Sequence, residues 1–333
     1  MLFRSSLEIL KSSDWFDIPS DGLQGKRFGV IIVNPKEGDA MEIAAFRKDI
    51  TKGRNPKVKV GVSIEDDVKR RDLTFNALFY DMDSKEVVDL VGGVSDLENK
   101  IIKMVGNAMD RIKEDPLRIL RVFRFASKYG SELTDEIIEA IKKNNKLELV
   151  VDDELQRVSQ EAILVEFEKA WKKAKDFTQY LKFITEFEMW NEIFPGVAIN
   201  TDVKPTTDFV VMLAQLFSKT KKKDLRNFLV EKLKFPDKPG TKTASKVDFL
   251  LKVKKMKKDD VIDFYKGFKR LHMDKGTISE FYRVFGLEDK YFWAFLKFEP
   301  IANTKDLIKQ GFKGVELGAE IDRVNKEAFE KLL

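Results

Sequence analysis

EDPLRILRVFRFASKYG, residues 114–130, decides how this chain is read. Asp115-Pro116 is a helix start, with Asp offering an N-cap oxygen and Pro, which has no N–H to lose, suited to the first helical position. At about 100° per residue, Ile119, Val122, Phe123 and Ala126 fall on one face of that helix. Arg118, Arg121 and Arg124 fall on another. Lysine and glutamate would serve a merely solvated face. A planar guanidinium fork suits phosphate oxygens and base edges.

Upstream of this helix the chain reads as α/β. GKRFGVIIV (25–33) and MEIAAFR (41–47) are strands of a hairpin separated by the turn cluster NPKEGD. TKGRNPK (51–57) is a basic loop before the alternating strand VKVGV. Helical periodicity is expected over 65–80, and VVDLVGG (87–93) is a last strand ending in a Gly-Gly turn. Downstream of residue 100 nearly every segment carries helical spacing, as in Ile137, Ile138 and Ile141, or Ile163, Leu164 and Phe167. The expected fold class is α+β, an α/β head followed by an all-helical remainder.

Composition narrows the function classes. The chain has 333 residues, 43% hydrophobic and 35% charged, enough for more than one domain with its own core. No stretch approaches the roughly 20 apolar residues of a membrane span, and the first residues have no apolar signal-peptide core, so a cytoplasmic address without a membrane partner is expected. The chain has no cysteine and one histidine, His272, which excludes disulfides, thiol catalysis, zinc fingers and multi-histidine metal sites. Net charge is only +5, but lysines cluster at 219–223 and 252–258. Such clusters are either solvated helix ends or an electrostatic footprint for a phosphate backbone.

The chemistry concentrates between residues 65 and 124. A carboxylate at Asp115 can accept from an exocyclic amino group while Arg118 donates to the neighbouring ring nitrogen. Cytosine and adenine both present that pair. Uracil and guanine would place a keto oxygen against the carboxylate, and unpaired buried polar groups reject such mismatches strongly. In EDDVKRRDLTFNALFYD (65–81), Asp72 and Asn76 stand one helical turn apart and can address ribose hydroxyls, with Arg71 reaching phosphate. The plainer alternatives are an N-cap for Asp115 and a surface salt bridge for Arg71-Asp72.

RRDLTFNALFYD (70–81), DLVGGVSDLENKIIKMVG (89–106) and EDPLRILRVFRFASKYG closely resemble, in order and spacing, motifs of class II tRNA nucleotidyltransferases and bacterial poly(A) polymerases. The resemblance continues through DELQRVSQEAILVEFEKAW (153–171), where Arg157 and Glu161 match a neck-helix pattern, to NTKDLIKQGFKGVELGAEID (303–322). It implies an incomplete polymerase-β-like nucleotidyltransferase head over 1–104, a neck over 105–172, a body over 173–262 and a tRNA-binding tail over 263–333. The implied activity is template-independent addition of C and A from CTP and ATP, with Mg2+, to the 3′ end of a tRNA acceptor arm.

The implied roles fall on matched positions. Arg71, Asp72 and Asn76 bind phosphate and ribose; Asp115 and Arg118 pair with the incoming base; Arg121 and Arg124 line the same nucleotide site. Gly92 and Gly93 match the hinge between head and neck. Glu42 matches a catalytic-strand acid near the metals, followed by Arg47.

The chain also departs from the family pattern. The glycine-rich turn and Asp-x-Asp pair that hold two magnesium ions have no counterpart, so no metal ligand is assigned in this chain. Asp81-Met82-Asp83 has the right letters but the wrong place, and is expected to be a turn; Asp66-Asp67 is no better placed. Two accounts stay open: a C-terminal portion completed by a separate N-terminal fragment carrying the metal site, or a non-catalytic remnant that binds nucleotide and RNA. The 51–57 loop leaves CCA, CC-only, A-only and poly(A) addition undecided, and Lys313-Gly314 replaces a Pro-Gly often seen in the tail.

Overall fold

A computed structural model describes residues 16–17, 30–35, 41–51, 56–151, 154–238, 240–253, 257 and 260–333, with side chains from residue 43 onward. The chain divides into two compact units, Met1–Glu192 and Ile193–Leu333.

The first unit opens with an antiparallel sheet of β1 (Phe16–Asp17), β2 (Val30–Pro35) and β3 (Met41–Ala44), in which Val30 faces Ala44 and Val33 faces Met41. The expected hairpin is present, but its second strand stops at Ala44. Arg47–Asp49 (β4) instead pairs with Val58–Val60 (β5). Most of the basic loop between them, residues 52–55, lies outside the described residues.

The helix expected over 65–80 is shorter. Ile64–Arg70 (α1) is capped by Ser63, whose hydroxyl accepts from the Asp66 amide, and carries acids in its first turn and bases in its last, as the helix dipole favours. Arg71 is extended, and Thr74–Ala77 forms a separate tight turn before the hairpin of β6 (Phe79–Tyr80) and β7 (Val87–Val88). The break has a packing cause: Leu73, Thr74, Phe75 and Ala77 are all buried, which a straight helix with one apolar stripe could not achieve.

Asp89 then accepts from the amides of Val91, Gly93 and Val94, setting the turn into α2 (Gly93–Glu98). Gly92 has φ +77°, and a Cβ on Gly93 would stand 2.3 Å from the Thr74 carbonyl oxygen. Close backbone approach thus accounts for Gly93 without invoking motion.

Helix α3 (Ala108–Glu114) ends at Asp115, and α4 (Leu117–Tyr129) begins one residue after the expected start. The Asp115 carboxylate nevertheless caps it, accepting from the Leu117 amide at 3.2 Å. Ile119, Val122, Phe123 and Ala126 are buried as the periodicity requires. Phe123 stacks on Phe183 and Phe187, tying α4 to α7 (Phe177–Glu186), which follows α5 (Asp135–Lys143) and α6 (Gln160–Lys173).

The region after residue 100 is not wholly helical. Ile101–Ile102 (β8) pairs in parallel with Glu132–Leu133 (β9), and Glu148–Val151 (β10) forms a hairpin with Glu154–Arg157 (β11). Arg157 therefore stands on a strand rather than on the neck helix, while Glu161 is in the first turn of α6.

The regular elements among the second unit's described residues are all helices, beginning with α9 (Phe209–Leu216), α10 (Leu225–Glu231), α11 (Thr243–Lys252) and α12 (Val261–Arg270), numbered after α8 (Trp190–Ile193). Its core is aromatic: Phe264, Phe268, Phe281, Tyr282, Phe292, Phe295, Phe298 and Phe329 are buried together in one cluster. That cluster joins Val211 and Leu250 to residues near the C-terminus, so one core spans the residue-262 boundary expected between body and tail. Gly267 allows close packing, since a Cβ there would meet the Phe249 ring at 2.4 Å.

Candidate functional site

Three carboxylates organise the arginines of the first unit. Asp67, on α1, is 1% exposed. It accepts from the Arg47 amide at 3.0 Å, from Arg70 Nε at 2.9 Å and Nη2 at 2.7 Å, and from Arg71 Nε at 2.9 Å. Burial alone would raise its pKa, but these donors outweigh it and hold the carboxyl below the usual range.

Asp72 forms the second centre. It accepts from Arg121 through both Nε, at 2.8 Å, and Nη2, from the Leu73 amide at 2.9 Å, and from Asn76 Nδ2 at 3.3 Å. Burial again opposes the charge, and Arg121 with the Leu73 and Asn76 donors overcomes it, so this pKa is also lowered. Asp72 and Asn76 meet as expected, through a tight turn instead of an α-helical one.

Glu114 is the third. It receives Arg111 Nη1 and, at 2.6 Å, Arg118 Nη1. Arg111 Nη2 in turn donates to the carbonyls of Arg70 at 2.6 Å and Arg71 at 2.8 Å, satisfying the open end of α1. Phe75 packs edge-on against Phe125 and Tyr129, with centroids 5.5 Å apart in both pairs. The 70–81 segment is therefore fastened to α4 by an ion pair and by aromatic packing, and to α3 by arginine-to-carbonyl bonds.

These bonds leave donors over. Arg71 commits Nε to Asp67 and Nη1 to the Asn76 carbonyl, with its guanidinium 4.4 Å from the Phe79 ring centroid; Nη2 has no hydrogen-bond partner among the described residues. Among the described residues Arg118 commits only Nη1, and Arg121 only Nε and Nη2. Each guanidinium is gripped along one edge and keeps further N–H groups. Side chains fixed in this way need little further ordering to meet an anion.

Arg124 differs. Its Nε donates to Glu166 of α6 at 3.0 Å, with both side chains under a tenth exposed, and its guanidinium lies 4.2 Å from the Phe125 ring centroid. These partners are those of a helix-to-helix fastening. Glu42 stands opposite Ile32 on β3, and its side chain lies outside the described residues. Arg157 pairs with Glu192, as does Lys146, anchoring the β10–β11 hairpin.

The residues described do not fit a two-magnesium site. No group of three or more His, Asp, Glu or Cys side chains converges among them. Asp81 sits in the β6–β7 turn, where its carboxylate accepts from the Asp83 amide, as expected for a connecting turn. Asp67 is fully engaged by arginines. Among the same residues, no helix is long and apolar enough to cross a membrane.

Sequence reasoning missed Asp67, Arg111, Glu114 and Glu166. The first three had a readable signal, since Asp67 lies three and four residues before Arg70 and Arg71, and Glu114 three after Arg111 and four before Arg118. Glu166 had none, because its partner is 42 residues away.

Residues 16–103 match the poly A polymerase head domain. The chain is 39% identical over 175 residues to the CCA-adding enzyme of Bacillus subtilis, a match covering 52% of this chain and 41% of that protein. The match thus spans about two fifths of the length of that relative. The fold resembles that of the Bacillus stearothermophilus CCA-adding enzyme solved with CTP, with TM-score 0.60 and 21% identity over 93% of this chain and 79% of that one. It also resembles the Thermotoga maritima CCA-adding enzyme complexed with tRNA, with TM-score 0.60 and 14% identity over 99% and 83%. The chain thus carries a segment similar to the poly A polymerase head domain, is similar over about half of its length to a CCA-adding enzyme, and shares the fold of solved CCA-adding enzymes.

Proposed function

We propose that this chain selects nucleotides and holds RNA for template-independent addition of C and A to tRNA 3′ ends, in the cytoplasm, with CTP and ATP as substrates. The observation that carries this reading is the Asp72–Arg121 pair, which brings the ribose-and-phosphate motif and the base-pairing helix to one place. The CTP-bound and tRNA-bound relatives of the same fold support the same substrate classes.

The division of labour follows from the donors left over. Arg71 and Arg121 offer N–H groups to the triphosphate, and Asp72 with Asn76 addresses the ribose. Asp115 accepts from the base amino group while Arg118 donates to the ring nitrogen. Arg124 fixes the helix that carries them through Glu166, and Gly92-Gly93 joins head to neck. In the finer division of the chain, the neck runs over 105–172, the body over 173–262 and the tail over 263–333.

In the family reaction two Mg2+ ions would activate the attacking 3′-hydroxyl and steady the leaving pyrophosphate, and no cluster of side chains that would hold them stands among the described residues. Their carboxylates are to come from outside residues 43–333, with Glu42 beside them, in the same polypeptide or in a separate fragment carrying an Asp-x-Asp pair. Incorporation of labelled CMP and AMP into tRNA lacking its 3′ end, by this chain alone and with such a fragment, tests the proposal. Template-free, base-selective incorporation in either setting is the expected result. No incorporation in both overturns the enzyme and leaves a second reading, a nucleotide- and RNA-binding protein, which the lack of a metal cage among the described residues favours. Tailing of a non-tRNA substrate instead points to poly(A) addition, the activity for which the matched head domain is named.

A further inference from the structure

The proposed division of labour leaves one nearly buried guanidinium without a task. Arg111 stands in the last turn of α3, with its side chain 12% exposed. Its Nε is buried with no hydrogen-bond partner among the described residues. Such an orphan N–H costs stability, so the placement of this side chain is dictated by what its other nitrogens hold.

Those nitrogens reach three acceptors in two different segments. Nη2 donates to the carbonyls of Arg70 at 2.6 Å and Arg71 at 2.8 Å, the second of which belongs to the peptide joining Arg71 to Asp72. Nη1 donates to Glu114 Oε2. The same oxygen accepts from Arg118 Nη1 at 2.6 Å, and that Nη1 also donates to the Arg111 carbonyl at 2.7 Å. Arg118 is therefore gripped by the main chain of Arg111 and by a carboxylate that the Arg111 side chain holds in place. Burial first, and then the Arg118 charge, lowers the Arg111 pKa. Two cations share one carboxylate here, an arrangement that capping a helix end does not require.

We propose that Arg111 is a positioning residue for base selection, setting the Arg118 guanidinium at a fixed place relative to the Arg71–Asp72 peptide. The assignment rests on the nucleotide-addition reading and adds to it a residue that itself meets neither base nor phosphate. Cytosine N3 is an acceptor, whereas uracil N3 carries a hydrogen. An Arg118 held in register with the ribose-and-phosphate segment bonds to the first and clashes with the second. One free to swing loses the bond to cytosine and relieves the clash with uracil. Lysine cannot replace Arg111 in this role, because its single nitrogen cannot span Glu114 and both carbonyls. A plain end-cap for α1 would leave base selection untouched.

Calorimetric titration of the full chain with CTP and UTP separates the two roles. The unaltered chain is expected to prefer CTP. In Arg111→Lys, which keeps the charge, CTP is expected to lose about tenfold more affinity than UTP, the worth of one charge-assisted hydrogen bond. Glu114→Gln keeps the bonds from Arg111 to the carbonyls, and is expected to shift the same ratio in the same direction by about threefold. A CTP-to-UTP ratio unchanged in Arg111→Lys, or in Glu114→Gln where the first variant does not fold, overturns the positioning role and leaves the nucleotide reading standing. No preference for CTP in the unaltered chain overturns the nucleotide reading, and this assignment with it.

Discussion

Both units set cations beside carboxylates, yet they do so in opposite ways. In the first, Asp67 and Asp72 are withdrawn from solvent and gather arginines, one of them, Arg121, 49 residues distant. In the second, the pairs that Arg323 makes along α16 (Gly314–Glu330), after α13 (Lys275–Phe285), α14 (Lys290–Lys297) and α15 (Thr304–Lys309), are local and solvated; it spans Glu320 and Glu327. Exposed pairs of helical spacing hold little energy and fix no tertiary geometry. Buried long-range pairs cost desolvation and return a unique arrangement of donors. A site that must present guanidinium edges at fixed positions calls for the second kind.

That contrast breaks most visibly at Arg124. Replacing Glu166 with Ala leaves a buried guanidinium without its partner, and denaturant unfolding of the first unit is expected to lose about 3–5 kcal/mol. A loss below about 1 kcal/mol would put the pair in the same class as the surface ones. Next in size is Gly93→Ala. The added methyl meets the Thr74 carbonyl, and a loss of about 1–3 kcal/mol is expected by the same measurement. Unchanged stability would mean that the 70–81 turn yields easily.

Acid sharpens the comparison more gently. The pKa values of Asp67 and Asp72 are depressed in the folded chain, so their contribution is complete above the ordinary aspartate value of 3.8 and is lost as pH falls through the lower folded values. Stability is therefore expected to hold from neutrality to about pH 4 and to decline below it. Asp72→Asn should flatten that decline; an identical acid limb in the variant would contradict the assignment. The smallest effect is expected for Arg323→Ala, whose side chain is solvated: its unfolding midpoint should match that of the unaltered chain. A clear shift there would remove the distinction between the two kinds of pair.

The sequence carried different parts of this picture with different clarity. Helix α4 was legible because its buried face repeats at helical spacing, and the mixed α+β class followed from the two kinds of periodicity along the chain, though the strands at 101–102, 132–133, 148–151 and 154–157 did not. The break at Arg71 was not legible, because it arises from burying Leu73, Thr74 and Phe75 together against distant elements. Arg157 on a strand was hidden for the same reason: its hairpin is anchored by Glu192, 35 residues on. At the site, Asp72 with Asn76 was readable from spacing and Arg121 from its face of the helix. That Asp72 and Arg121 grip each other depends on tertiary packing no local pattern encodes.

The central claim is that the Asp72–Arg121 pair builds the nucleotide site. Calorimetric CTP binding by the unaltered chain, Asp72→Ala, Arg121→Ala and the double variant tests it most directly. Each single change is expected to weaken CTP binding about tenfold or more, and the double variant to be little worse than either alone. Losses that simply add would show two independent residues, and CTP affinity unchanged in all three variants would contradict the claim.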